Sequence, residues 1–206
     1  MTATPLLCFI TDADAPLSVP DQAERAARGG AGWVQLRDKT LDTDAFTDLA
    51  RAVADRIAPF DARLIINDRV EVAHAIGAYG LHIGQSDGDP RRVRARIGPD
   101  AVLGLSIERY DQITTIPPGC IDYLGVGPVR ATGSKVDHAP PIGFGGLARI
   151  VQDTRLPCLA IGGLTACDAA DLRRAGCTGL AVVSAISRAA DPRAAARAIL
   201  DQWSTV

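Results

Sequence analysis

Short apolar runs recur along the chain: "LLCFIT" (6–11), "WVQLR" (33–37), "RLIIN" (63–67), "GLHI" (80–83), "VLGLS" (102–106), "YLGVG" (123–127), "CLAIG" (158–162) and "LAVVS" (180–184). Each has the length of a buried strand. Between them lie Ala-rich stretches with charges at helical spacing, such as "DQAERAARGG" (21–30), "DAFTDLARAVADRI" (44–57) and "DAADLRRAGC" (168–177). The punctuation agrees: Asp89-Pro90 and Asp191-Pro192 read as N-cap and first helical residue, Gly29-Gly30 and Gly176 as C-terminal caps. Continuous apolar strands alternating with helices predict a parallel sheet covered on its outer face. About eight such units predict one closed (β/α)8 TIM barrel over residues 1–206, near the lower length limit of that fold, so helices and loops must be short. One segment breaks the rhythm, the Gly/Pro-rich "GPVRATGSKVDHAPPIGFGG" (127–146), and long connections in a compact domain are usually functional or disordered.

Composition narrows the class. Apolar residues make up 47%, charged residues 22%, and the net charge is −2, so the chain as a whole attracts neither nucleic acid nor an anionic membrane and any anion site must be local. No apolar run is long enough to span a bilayer. The start "MTATPLLCFITDADAP" lacks the basic and apolar regions of a signal peptide. Cys8, Cys120, Cys158, Cys167 and Cys177 are odd in number and contain no CxxC, which predicts small buried thiols of a reduced, cytoplasmic protein. His74, His82 and His138 have no metal-ligand spacing. A homodimer is compatible with the sequence but not dictated by it.

The chemistry concentrates where the strands end, the catalytic face of such a barrel. Alternation puts Gln35 and Arg37 on one face of the second strand, with Lys39 just beyond. Two cations and an amide suit an anionic ligand; a salt bridge to a neighbouring carboxylate explains them equally well. The third strand ends in Asn67-Asp68. Asp68 followed by Glu71 also fits a helix capping box. Asp87, after the fourth strand, has no capping duty, because Asp89 already serves the next helix. Asp68 and Asp87 would repel one another unless a cation lay between them, and Mg2+ favours one or two carboxylates completed by water and phosphate oxygens. Ser106 ends the fifth strand. Thr132, Gly133, Ser134 and Lys135 form either an anion-gripping loop or a solvated one. Gly162 and Gly163 after the seventh strand, and Val183 and Ser184 after the eighth, stand where this fold binds phosphate; a Gly-Gly pair also serves ordinary tight turns. Together these residues imply two anion sites, one metal-assisted and one built from neutral donors and independent of the metal. One substrate would then carry a diphosphate leaving group and the other a monophosphate.

"VQLRDK", "INDRVEVA", "GLHIGQSD", "LGLS", "YLGVGPV", the 132–135 loop, "AIGGL" and "VVSAISRAADP" together resemble the thiamine phosphate synthase family from about Leu6 to about Leu200. The resemblance implies a Mg2+-dependent transferase that joins hydroxymethylpyrimidine diphosphate to a thiazole monophosphate and releases pyrophosphate by a dissociative substitution. By that likeness Asp68 and Asp87 hold Mg2+, and Arg37, Lys39, Asn67, Ser106 and Lys135 hold the diphosphate. Gln35 contacts the pyrimidine, Thr132 and Ser134 lie near the thiazole, and Gly162, Gly163, Val183 and Ser184 take its phosphate. There are two departures. The family's Pro-Thr-x-Thr-Lys is here Ala131-Thr132-Gly133-Ser134-Lys135, a floppier loop. Glu108 stands where a small residue or histidine is usual, and is expected to point away from a bound phosphate. The rival readings are a thiazole tautomerase, which typically lacks the Lys39, Asp68 and Asp87 equivalents, and a non-catalytic phosphate-binding barrel.

Overall fold

The computed structural model describes residues 4–133 and 139–205. Eight parallel strands close in sequence order: β1 (Leu7–Ile10), β2 (Trp33–Leu36), β3 (Arg63–Asn67), β4 (Gly80–Ile83), β5 (Val102–Ile107), β6 (Tyr123–Val126), β7 (Cys158–Ile161) and β8 (Gly179–Val182), with β8 pairing back onto β1. All eight apolar runs are therefore strands of a (β/α)8 barrel. The helices between them are α1 (Val19–Arg28), α2 (Thr43–Ile57), α3 (Val70–Ala75), α4 (Pro90–Ile97), α5 (Gly143–Gln152) and α6 (Ala169–Arg174). The four-residue α7 (Ser184–Ser187) and then α8 (Pro192–Thr205) follow β8. Between β5 and β6 the helical layer is only a 3-10 turn, Tyr110–Thr115, closed off by Pro117 and Pro118. The long β6 connection is also shorter than its Gly/Pro content predicts, because α5 already starts at Gly143.

Local chemistry accounts for the helices. Ser18 caps α1 by accepting the Asp21 amide at 3.3 Å, and Asp42 caps α2 by accepting the Ala45 amide at 2.8 Å. Asp89 caps α4 with Pro90 at its first position, as the dipeptide predicts. α2 buries Phe46, Ala50, Val53 and Ile57, one stripe at helical spacing, against the barrel wall. The outward strand residues, Val34, Leu36, Leu64 and Ile66 among them, meet such stripes in the larger apolar core.

A second, smaller core fills the barrel: Cys8, Trp33, Ile65, Val102, Tyr123, Leu159 and Ala181. Trp33 packs edge-on against Tyr123 with ring centroids 4.9 Å apart. This interior accepts large rings because neighbouring inward positions are glycine. A Cβ at Gly104 would lie 2.2 Å from the Tyr123 ring and 2.5 Å from His82 Nδ1, and one at Gly125 would lie 2.9 Å from His82 Cε1. Gly104→Ala should therefore destabilise the barrel by about 3 kcal/mol in urea denaturation, the upper range for overpacking. A loss under about 1 kcal/mol would show that the rings can give way.

Candidate functional site

A cavity of about 460 Å³ opens at the C-terminal ends of the strands and takes in Gln35, Arg37, Lys39, Asn67, Asp68, Asp87, Ser106, Thr132, Gly162, Gly163, Val183 and Ser184. Every described residue singled out from the sequence for a site role, except Gly133 of the long loop, thus lines one space. Ser134 and Lys135 lie outside the described residues.

On β2, alternation sends Gln35 inward, where it is nearly inaccessible, and Arg37 follows on the same side. Thr11 fixes the start of the loop: its hydroxyl accepts the Arg37 amide at 3.0 Å and donates to the Arg37 carbonyl at 3.3 Å. The Arg37 guanidinium has no hydrogen bond or ion pair among the described residues, so the salt-bridge explanation fails for it. For Lys39 that explanation holds, because its ammonium is paired with the Asp68 carboxylate. Asp38, between them, braces the loop by accepting from the Thr40 and Leu41 amides at 2.7 and 3.0 Å. Burial opposes the charged Asp38, yet these amides, the Thr40 hydroxyl and Arg69 hold its carboxyl below the usual range. Arg69 stacks 4.3 Å over Phe46 and donates to the carbonyls of Asp38 and Leu41 at 3.2 and 2.5 Å, clamping the loop from below.

Asn67 and Asp68 would point to opposite faces of a regular strand, yet both line the cavity. The backbone explains this: Asp68 has φ 51°, in the left-handed region, and the turn it makes brings the second side chain round to join the first. The capping box is not formed. Arg69, not Asp68, precedes the first turn of α3, that helix has no side-chain cap, and Glu71 instead binds Arg96 with Nε to Oε1 at 3.0 Å. Asp68 Oδ2 accepts the Asn67 amide at 2.7 Å as well as the Lys39 ammonium. Asp87 arrives from a turn rather than from the strand itself, its Oδ2 accepting the Gly84 amide at 2.7 Å. Among the described residues Oδ1 of both carboxylates carries no hydrogen bond. No cluster of three or more metal-ligating side chains occurs among the described residues. A cation held here would need its remaining ligands from water or substrate.

No local pattern announces the pair beneath. His82 points inward from β4, its Nδ1 2.8 Å from the Tyr123 hydroxyl and its Nε2 2.9 Å from Ser106 Oγ. Burial holds the Tyr123 phenol protonated, well above its ordinary range. Among the described residues Tyr123 has no hydrogen-bond partner but His82; a phenol that donates to Nδ1 leaves Nε2–H to donate to Ser106 Oγ. The only signal was indirect: a histidine at an inward position, with glycines at 104 and 125 making room for it. Cys8, also inside, has its thiol pushed up to about 12 by burial and is inert. Cys158 and Cys177 are buried too, but Cys167 is exposed, against expectation.

Glu108 does not point away from the site. It continues the inward parity of Gly104 and Ser106 past the end of β5 and lines the cavity wall. On the far side Gly162 and Gly163, with φ 88° and 68°, form a turn that no side chain could enter: a Cβ at Gly163 would lie 2.5 Å from the Ala131 carbonyl and 2.9 Å from Arg130 Cβ. Ser184 opens α7, whose first amides have no partner in their own helix. Ser187 and Arg188 both donate to Asp12 Oδ2 at 3.2 Å, tying α7 to the β1 loop across the closing seam. The two groups of residues expected to hold anions thus line one cavity, and no more than its width separates them.

With this geometry in view, three comparisons converge. A family model described as thiamine monophosphate synthase matches residues 7–186. A thiamine-phosphate synthase of Xanthobacter autotrophicus is 47% identical over 176 residues, 85% of this chain and 83% of the relative. One from Azorhizobium caulinodans is 44% identical over 179 residues, 87% of this chain and 84% of the relative. Among solved structures, a thiamine phosphate pyrophosphorylase from Pyrococcus furiosus superposes with a TM-score of 0.87 at 29% identity, over 97% of this chain and 95% of the other.

Proposed function

The chain belongs to the thiamine monophosphate synthase family, and on that premise we propose that its barrel mouth joins hydroxymethylpyrimidine diphosphate to hydroxyethylthiazole phosphate, giving thiamine monophosphate and pyrophosphate. It is a transferase and needs no protein nucleophile. The carbon–oxygen bond to the diphosphate breaks with its electron pair leaving on pyrophosphate, and the thiazole nitrogen forms the new bond to the exposed methylene carbon. The observation that carries this reading is the meeting of Arg37, uncommitted to any partner among the described residues, with Asp68 and Asp87 in one cavity.

The residues have separable tasks. The planar Arg37 fork suits two oxygens of a diphosphate. Lys39 is paired with Asp68 in the ligand-free cavity, but its side chain is 55% exposed and flexible enough to turn to the leaving group instead. Ser106, supplied with a hydrogen bond by His82, donates its own proton outward to the same oxygens. Gln35 offers an amide at the buried end of the cavity for the pyrimidine edge, and Asn67 orients Asp68. Lys135 is assigned to the leaving group by the family resemblance. Thr132 and Ser134 face the thiazole by the same likeness, and the turn at Gly162 and Gly163 with Val183 and Ser184 takes its phosphate. These groups stabilise the negative charge that grows on the departing pyrophosphate without chemistry of their own, the usual largest contribution in such reactions.

Asp68 and Asp87 fit Mg2+, each keeping an oxygen available on the cavity side, with the coordination completed by water and phosphate. When bound, the ion offsets leaving-group charge. Free thiols throughout and no helix long and apolar enough to cross a membrane among the described residues are consistent with a reducing cytoplasm. Incubation of the purified protein with both substrates should release pyrophosphate and thiamine monophosphate in equal amounts. EDTA should stop the release and added Mg2+ restore it. No product from the pair would overturn the synthase reading; release that persists in EDTA would overturn the metal alone. The tautomerase reading has no observation in its favour, since Lys39, Asp68 and Asp87 are all present.

A further inference from the structure

Arg130 and Asp168 form a contact that the catalytic proposal does not use. Arg130 lies outside the cavity wall, in the segment between β6 and the substrate loop. Its Nε and Nη2 donate to Asp168 Oδ1 at 3.2 and 2.7 Å. The Asp168 side chain is 6% exposed, an expensive place for a carboxylate. Its other oxygen accepts the Thr165 amide at 2.8 Å and the Thr165 hydroxyl at 3.2 Å, closing the 3-10 turn Ala166–Asp168. The Arg130 guanidinium also lies over the Phe144 ring, 5.1 Å from its centroid.

The backbone beneath this pair is continuous with both anion regions. Past the ends of β6 and β7 the chains stay paired, Val129 N–H to the Ile161 carbonyl at 2.9 Å and Arg130 N–H to the Gly162 carbonyl at 3.0 Å. The Gly162–Gly163 turn is therefore gripped on one side by Arg130 and Ala131, and on the other by the turn that Asp168 closes. A neutral residue could have closed that turn. Among the described residues the charge at Asp168 is matched only by an arginine 38 positions earlier, which makes the pair a tie between two loops rather than a local cap.

We propose that Arg130 and Asp168 are positioning residues for the monophosphate: their ion pair sets the Gly162–Gly163 turn at the spacing that the thiazole phosphate requires. The inference rests on the synthase reading. Asp168→Asn retains a carbonyl oxygen for Thr165 and loses the ion pair; Arg130→Met retains an apolar stem and loses the charge. Each should raise KM for hydroxyethylthiazole phosphate about tenfold, within the ordinary range for coupled sites. In each, kcat and KM for the pyrimidine diphosphate should stay near wild type; Tm should hold in Asp168→Asn, whose orphaned Arg130 is half exposed, and fall in Arg130→Met, which leaves the buried carboxylate unpaired. The double variant should be no worse than either single one, because both remove the same tie. Arg130→Lys should recover most of the loss. Calorimetry with hydroxyethylthiazole phosphate alone should show the same tenfold change in Kd. Unchanged thiazole phosphate affinity in both single variants, additive losses in the double variant, or an equal rise in both KM values with a fall in Tm would each overturn the clasp. Wild-type protein inactive with both substrates would instead overturn the synthase reading on which it stands.

Discussion

Asp68→Asn should lower Mg2+-dependent pyrophosphate release at least about a hundredfold, equal to about 3 kcal/mol of transition-state stabilisation, with little change in Tm. The separation is possible because the substitution spares everything structural about the position. Asn tolerates the left-handed region as well as Asp does, and Asp68 has φ 51°. No cap is lost, since α3 takes none from it. The ion pair to Lys39 does go, but a pair with one partner more than half exposed is worth about 1 kcal/mol or less. Asp68→Gly tests the same point from the other side: it relaxes the backbone, removes the carboxylate, and should be at least as stable as wild type and equally inactive. Full turnover in Asp68→Asn, or an unchanged Mg2+ requirement, would end the metal role of this residue.

Gly163→Val should reduce turnover about a thousandfold and cost about 3 kcal/mol in stability, combining a branched side chain in the left-handed region with overpacking. The backbone at φ 68° and the Ala131 carbonyl 2.5 Å from the new Cβ leave no room for relaxation without moving the segment that leads to the substrate loop. Two effects follow for binding. Calorimetry should find hydroxyethylthiazole phosphate binding lost, because the turn can no longer present its amides. Pyrophosphate with Mg2+ should bind about fivefold more weakly, because Ala131 leads directly into the 132–135 loop. A phosphate turn independent of that loop would leave pyrophosphate binding untouched. Unchanged thiazole phosphate affinity would remove Gly163 from the site altogether.

These expectations show where the sequence was readable. Strands were legible because each is a short apolar run bounded by glycine, proline or charge. The charged residues at strand ends were legible because alternation and the polarity of a parallel barrel fix which side they face. Four features escaped for physical reasons. Asp68 was expected among the metal-holding residues, with a helix cap as its other duty; the left-handed turn that breaks alternation and removes the cap has no signature in the local pattern. Glu108 obeyed alternation beyond the strand's expected end, where repulsion from phosphate had argued the reverse. The His82–Tyr123–Ser106 chain and the Arg130–Asp168 tie are formed across strands and loops far apart in sequence, and no local pattern announces such meetings.

The interior glycines carry an evolutionary consequence. His82 and Tyr123 exist only because positions 104 and 125 have no side chain, while those glycines gain nothing once a ring is gone. A lineage that first exchanged both Tyr123 and His82 for small residues would be free to fill Gly104, and the filling would be favoured, since it closes a void. From then on the ring could not return by a single substitution without a clash. The four positions form a ratchet: descent can leave the arrangement one substitution at a time and must re-enter it by simultaneous ones. Relatives should accordingly divide into chains that hold all four residues together and chains that have replaced them as a group.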